Sequence, residues 1–221
     1  MQTARVERLT AIAGLVVVAL SLVNLTLPPV PAADAPAAAF AGYYAVHRAA
    51  VLVVAYVAVL GAAVVVAFLA GLRDVLRRHE AGDGTLATTG LVAGVVQFTA
   101  VAVGVSILAA TAYRPGQPAA TIRALTDAGW VVINLGAGLP TTMSVAAFSL
   151  VVLRTGLLPR WVVGFGLLVA AAHLVVSGAF ARGGFLAPEG AVAVVVPTLY
   201  YLWVLVVSLT LLRCRTPSSP A

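Results

Sequence analysis

Six uninterrupted apolar runs, each long enough to cross a bilayer, constrain this chain more than any other feature of its sequence. A hydrocarbon core of about 30 Å requires about 20 helical residues at 1.5 Å per residue. The runs are too long and too continuous for the alternating ten-residue strands of an outer-membrane barrel. The sequence therefore predicts an all-α integral membrane protein, a six-transmembrane-helix bundle that forms a single domain of residues 1–221. The predicted spans are residues 9–27, 49–72, 86–112, 128–153, 161–180 and 191–212.

The composition excludes other classes of protein. Apolar residues make up 62% of the chain and charged residues 9%, whereas a soluble domain has about a quarter charged residues. Disorder requires low hydrophobicity and high charge. The basic residues lie in short loops and not in a cluster with aromatics, so no nucleic-acid partner is expected. The single cysteine, Cys214, excludes an internal disulfide and a cysteine zinc site, and we expect no metal site and no catalytic residue.

The distribution of arginine predicts the orientation, because cytoplasmic loops retain positive charge. All 13 basic residues are arginine, which together with abundant Ala, Val and Gly indicates a bacterium with a high-GC genome. With the N-terminus inside, nine arginines are cytoplasmic and four are outside. The sequence thus predicts a multi-pass protein of the bacterial plasma (inner) membrane with both termini cytoplasmic. The four outer arginines are Arg48, Arg114, Arg123 and Arg182.

The first span has an alternative interpretation as a cleaved signal peptide. Arg5 and Arg8 precede the apolar run, and small residues follow it at positions 33–35 and 37–39. A signal peptide usually has an apolar core of about 7–15 residues, and this run is longer. We therefore expect the segment to stay as a span, while cleavage would leave five spans.

The loop after the first span contains several prolines and then aromatic residues at helical spacing. Phe40, Tyr43, Tyr44 and His47 follow Pro36, which predicts a short helix at the outer membrane interface, where aromatic rings favour the headgroup level. The helix could be a lid over an outward-facing site, but the sequence favours an interfacial anchor.

The third and fourth spans contain glycine and proline at informative positions. Gly90, Gly94, Gln97 and Gly104 share one face of the third span, and small residues at this spacing favour close helix packing. In the fourth span, Pro140 follows two glycines, which predicts a kink or a local break. Asp127 is expected to cap the start of that span.

Polar residues inside the spans are the candidates for a binding site, because they are costly in hydrocarbon. No Asp or Glu lies in the middle of any span. We expect a small cavity in the outward half of the bundle for a small or lipid-like ligand, which makes a non-enzymatic binding or transport-type protein the leading interpretation. The ligand-binding candidates are Gln97, Asn134, His173, Tyr200 and Tyr201.

Two other interpretations of the function stay open. His47 and His173 could be axial ligands of a haem iron, which would make the chain a membrane enzyme or a redox subunit. Alternatively, its Gly/Ala faces could pack against a membrane partner subunit or another copy in a homo-oligomer, as an accessory subunit would. Membrane lipids are expected partners in every case.

Two short motifs carry a resemblance to a known family. Residues 156–164, which include Pro159, Arg160 and Trp161, form a tight turn between the fourth and fifth spans, and residues 200–203 and Arg213 close the sequence. In these features and in span order the chain resembles a family of bacterial six-helix membrane proteins, listed as domain of unknown function four-three-eight-six. The resemblance implies six spans but implies no reaction and no catalytic residues.

Overall fold

The fold is all-helical in the computed structural model, which describes residues 2–114, 116–179, 181, 184–187 and 191–213. No strand occurs among these residues, which confirms the predicted all-α class. A short 3-10 helix, Leu22–Thr26, extends the first helix. The six α-helices are α1 (Gln2–Ser21), α2 (Ala37–Arg77), α3 (Thr85–Tyr113), α4 (Ala119–Thr155), α5 (Arg160–Val176) and α6 (Ala191–Arg213).

Four of the six predicted spans lie within one helix, whereas span 9–27 ends one residue beyond the 3-10 helix and span 161–180 extends past the end of α5. Five of the helical segments are long and apolar enough to cross a membrane. The exception is α5, which is apolar but has 17 residues. Predicted position 180, at the end of the fifth span, lies outside the described residues.

The helices pack in chain order and close on themselves. Each helix contacts the next one along the chain, α6 returns to contact α1, and α2 also contacts α4 across the bundle. The largest core cluster includes Phe68, Leu69, Phe148 and Trp203, which bring α2, α4 and α6 together. Because the interior is filled by side chains from every helix, polar residues that point inward are removed from both lipid and water.

Glycines allow α3 and α4 to approach closely. A Cβ added to Gly104 would lie 2.8 Å from the backbone oxygen of Gly129 and 2.5 Å from Ile133 Cγ1. One added to Gly90 would lie 2.7 Å from the Phe148 ring. The prediction that this face of α3 serves helix packing is therefore confirmed.

Two carboxylates in the loop between α2 and α3 accept hydrogen bonds from the first residues of α3. The two oxygens of Glu80 each accept a 3.0 Å hydrogen bond, one from the Leu86 amide and one from the Ala87 amide, which satisfies donors that the first helical turn leaves free. Asp83 Oδ1 accepts a bond from the Thr85 amide at 3.1 Å and one from the Thr85 hydroxyl. These hydrogen bonds lower the pKa of the Asp83 carboxyl.

The short helix predicted after Pro36 is present at the start of α2, and its position at the membrane interface stays a prediction. Its residues form the first turns of α2, which continues to Arg77 through a single non-helical residue, His47 (φ −101°, ψ 15°). Phe40, Tyr43 and Tyr44 are buried against Ala112 and Ile122, at the adjoining ends of α3 and α4. The aromatic rings therefore pack against protein and are not free at the surface. We call residues 28–46 the cap segment.

Arg123 on α4 holds the cap segment in place. Its guanidinium donates to the carbonyl of Ala33 at 2.6 Å and to that of Ala35 at 3.4 Å. The same group lies 4.3 Å from the centre of the Phe40 ring and forms an ion pair with Asp127 at 2.9 Å. One side chain thus joins the loop, the start of α2 and α4.

In the fourth span, the predicted local break at Pro140 and the predicted cap by Asp127 are contradicted, while a kink without a break stays a prediction. The helix contains no break, because α4 continues through Pro140 from Ala119 to Thr155. The hydroxyls of Thr141 and Thr142 donate to the carbonyls four residues before them, so hydroxyl donors supply extra bonds beside the proline. Asp127 does not cap the helix, since α4 begins two turns earlier after Pro118.

Candidate functional site

Four of the five sequence-predicted candidates lie together inside the bundle. The ring of Tyr200 on α6 is 6.1 Å from the ring of His173 on α5 and 5.7 Å from that of Tyr201. The amide of Gln97 on α3 lies near the Tyr200 hydroxyl. We call Gln97, His173 and Tyr200 the polar cluster, and Tyr201 flanks it.

The polar cluster contains an oxygen with unused hydrogen-bonding capacity. Gln97 is 4% and Tyr200 2% exposed. Among the described residues, Gln97 Oε1 has no hydrogen-bond partner, while the Tyr200 hydroxyl can pair with the Gln97 side chain beside it. An unsatisfied buried polar group costs about 1–3 kcal/mol relative to a satisfied one. Gln97 Oε1 is therefore a costly unsatisfied group inside the bundle.

His173 is held in one ring orientation by its own helix. Its Nδ1 lies 2.9 Å from the carbonyl oxygen of Val169. Because a carbonyl only accepts, Nδ1 carries a proton, and in the neutral ring Nε2 is the acceptor. The imidazole therefore has a fixed orientation beside the Tyr200 ring.

Asn134 is the fifth sequence-predicted candidate and lies on α4. It is 5% exposed, one turn before Gly138, where an added Cβ would lie 2.8 Å from Ser177 Cβ on α5. Ser177 follows His173 by one turn, so Asn134 lies near the end of the α4–α5 contact, on the side of the N-terminus of α4. Its role as a ligand-binding residue stays a prediction.

The two histidines of the haem hypothesis lie in different surroundings. His47 packs against Tyr43 in the cap segment, with ring centres 4.9 Å apart, whereas His173 packs against Tyr200. In the part of the chain that the structure describes, no group of three or more His, Cys, Asp and Glu side chains could hold a metal ion. Haem binding stays an untested alternative.

An apolar groove of about 660 Å³ lies on the side of the bundle, between α2 and α3. The only side-chain hydroxyls in its lining are those of Thr99 and Ser106, and each donates to the carbonyl four residues before it on α3. The groove therefore offers an aliphatic surface. Its lining is Val59, Ala62, Ala63, Val66, Val95, Phe98, Thr99, Ala102, Val103, Ser106, Ile107 and Ala110.

Phe98 separates the groove from the polar cluster. It lines the groove, and its ring centre is 5.7 Å from that of Tyr200. Phe98 thus borders the groove and also packs beside the Tyr200 ring. Phe98 was not among the residues predicted from sequence, because an apolar residue in an apolar run does not stand out.

A small enclosed space lies deeper in the bundle, beside Trp203. It measures about 10 Å³ and is lined by Ser149, Trp203 and apolar side chains. The Ser149 hydroxyl has no partner among the described residues, and an added Cβ on Gly166 would lie 2.2 Å from it and 2.9 Å from Trp203 Nε1. The space is close to the minimum for one water molecule, and therefore too small for an organic ligand.

The helices that carry the polar cluster have no charged residue except at their ends. The sequence of α3 contains no charged residue, while α5 and α6 each contain one, at the terminal positions Arg160 and Arg213. The cluster can therefore donate and accept hydrogen bonds, but it supplies no counter-ion for a charged group.

No family model, no curated protein and no solved structure matches this chain. The family resemblance seen in residues 156–164 and 200–203 thus stays an expectation, and the function has to be inferred from the geometry alone.

Proposed function

We propose that the chain is a six-span protein of the bacterial plasma membrane, with both termini in the cytoplasm, that binds a lipid-like molecule. The molecule enters sideways from the bilayer, with its apolar chain in the α2–α3 groove and its polar end directed past Phe98 to the polar cluster. The observation that carries the proposal is that Phe98 lines the groove while its ring centre lies 5.7 Å from that of Tyr200.

Six spans are consistent with the geometry of α5. Its 17 residues give a rod of about 26 Å, which is at the lower limit for a bilayer crossing. The chain continues in a turn in which the amides of Ser177, Gly178 and Ala179 still bond to helix carbonyls. The contacts of α5 with both α4 and α6 and the short α4–α5 turn favour an antiparallel passage through the membrane. Nine of 13 arginines then lie inside.

A lipid chain is the occupant that the groove favours. Its lining residues on α2 and α3 belong to helices apolar enough to be spans, so the groove opens to hydrocarbon. The lining offers no charge and no free hydroxyl, which favours a flexible aliphatic chain over a polar solute.

The polar cluster provides the selectivity of such a site. Bilayer hydrocarbon is as apolar as the groove, so a chain gains little free energy on moving between them. A hydrogen bond formed in the membrane contributes about 1–2 kcal/mol. Selective binding would therefore depend on the polar cluster, whose Tyr200 ring lies beside Phe98.

Filling the groove is expected to reduce binding. Val103 lines the groove and is 49% exposed, while Val92 is 57% exposed on the same helix and is outside the lining. A photoreactive long-chain alcohol with a diazirine in its chain can be cross-linked to purified protein in nanodiscs, and the adducts mapped by peptide mass spectrometry. We expect adducts at positions 59–66 and 95–110, and a loss of at least fivefold in Val103→Trp but not in Val92→Trp. Adducts spread evenly over all helices, or equal yields from both variants, would contradict the proposal.

A further inference from the structure

We propose that one water molecule binds inside the bundle and bridges the Ser149 hydroxyl on α4 and the indole N–H of Trp203 on α6. It occupies the space of about 10 Å³ that both side chains line. None of the described residues that form the α2–α3 groove or the polar cluster lines this space. The site is therefore separate from the proposed function and does not rest on it.

Ser149 has a buried hydroxyl that no protein group satisfies. Other hydroxyls on α4 are bonded: Ser144 donates to the carbonyl of Gly90 at 2.7 Å, and Thr155 donates to that of Val151 at 2.9 Å. Ser149 is 3% exposed, and its Oγ has no partner among the described residues. Buried polar side chains are normally bonded to protein or to ordered water, so Ser149 requires a water molecule.

The distance between Ser149 and Trp203 suits a bridge of one water molecule. A Cβ added to Gly166 on α5 would lie 2.9 Å from Trp203 Nε1 and closer still to Ser149 Oγ. The two atoms are therefore separated by less than twice 2.9 Å. They do not bond to each other, because Ser149 Oγ has no partner among the described residues. A water that makes two hydrogen bonds of about 2.9 Å spans a separation in this range.

The donors and acceptors in the space favour water over an ion. The indole N–H only donates, so it faces the oxygen of the water, while the Ser149 hydroxyl accepts one of the water protons. Two polar partners are the minimum for a buried water. A cation would meet the indole N–H donor and a single oxygen, because the other eight lining residues are Leu, Val or Phe.

Gly166 keeps the space open, and the loop end of the bundle gives water a route to it. The methyl group of an alanine at position 166 would take the place of the water. Leu76, at the end of α2, and Leu158, in the α4–α5 turn, line the same space. Ser149 lies six residues, about 9 Å, before the end of α4. The water therefore exchanges through the turn and not through the lipid-facing side.

The experiment measures transfer of magnetisation from water to the tryptophan indole protons. Full-length protein with ¹⁵N-labelled tryptophan is studied in liposomes by proton-detected solid-state NMR. The chain has three tryptophans, and the Trp203→Phe variant identifies the signal of Trp203. The variants are Ser149→Ala and Gly166→Ala, with Gly164→Ala as the matched control, because a Cβ at Gly164 on the same helix would meet no heavy atom within 4 Å.

In the wild type we expect transfer from water to the Trp203 indole proton, although Trp203 is 2% exposed. Gly166→Ala should abolish the transfer and shift the indole proton upfield, because the methyl group displaces the water. Ser149→Ala should weaken the transfer, since the water loses one of its two partners, and should leave thermal stability unchanged or lower. Gly164→Ala should change neither the transfer nor the shift.

The double variant Ser149→Ala/Gly166→Ala keeps the test decisive if Gly166→Ala alone does not fold. It removes the overlap between the new methyl group and the hydroxyl, and we expect it to fold and to show no transfer to Trp203. Absence of transfer in the wild type, persistence of transfer in the double variant, or an equal loss in Gly164→Ala would overturn the proposal. A higher thermal stability of Ser149→Ala would also contradict it, because removal of a hydroxyl that lacks any partner is stabilising.

Discussion

Replacing Gly104 with alanine is expected to lower the free energy of unfolding by about 1–3 kcal/mol, which is the usual cost of overpacking. Replacing it with leucine should prevent α3 and α4 from packing. A Cβ at this position would lie 2.8 Å from the backbone oxygen of Gly129. A backbone atom cannot rotate away as a side chain can, so one of the two helices would have to move. The measurement is reversible unfolding in mixed detergent micelles, followed by tryptophan fluorescence.

Gly164→Ala is the matched control for this prediction. Gly164 also lies within a helix, α5, but an added Cβ would meet no heavy atom within 4 Å. Alanine is favoured over glycine inside a helix by about 1 kcal/mol, so this variant should be neutral or more stable. Similar behaviour of the two alanine variants would show that the α3–α4 contact is looser than described.

Removing the Arg123 side chain is expected to release the cap segment. Arg123→Ala deletes the hydrogen bonds to Ala33 and Ala35, the contact with the Phe40 ring and the ion pair with Asp127. Because hydrogen bonds from charged groups contribute about 1.5–3 kcal/mol, we expect a loss of about 2–3 kcal/mol. Hydrogen exchange of residues 28–46 should become faster, while the exchange of α5 should not change.

Two further substitutions separate the parts of this contact. Asp127→Asn removes only a half-exposed ion pair and should cost less than about 1 kcal/mol. Arg123→Lys keeps the charge but lacks the fork that reaches two carbonyls, so it should resemble Arg123→Ala. Unchanged exchange in Arg123→Ala would mean that the buried aromatic rings alone hold the cap segment.

The helices could be predicted from sequence because each apolar run is long enough to predict a helix by itself. The places where prediction failed depend on contacts between distant residues. The aromatic residues of the cap segment have the spacing of an interfacial helix, and only the ends of α3 and α4, with Ala112 and Ile122, show that they are buried. Likewise, Pro140 predicts a break, but helix packing and the Thr141 and Thr142 hydroxyls keep α4 continuous.

The polar cluster could be predicted in part. Depth along each helix placed Gln97, His173 and Tyr200 at compatible levels, but lateral proximity depends on helix rotation, which a single sequence does not encode. Phe98 was overlooked for the same reason. Its importance comes from facing Tyr200 on one side and the groove on the other, and an apolar residue gives no sign of this in a run of apolar residues.

The account depends most on an even number of membrane crossings, and cysteine accessibility tests this directly. Three proteins with one cysteine each can be treated on intact cells with a membrane-impermeant maleimide: the wild type with Cys214, and Gln2→Cys and Asp34→Cys, both with Cys214→Ser. We predict that Asp34→Cys is labelled on intact cells, and that Gln2→Cys and Cys214 are labelled only after permeabilisation. Labelling that places position 2 and Cys214 on opposite sides of the membrane would contradict the six-span bundle.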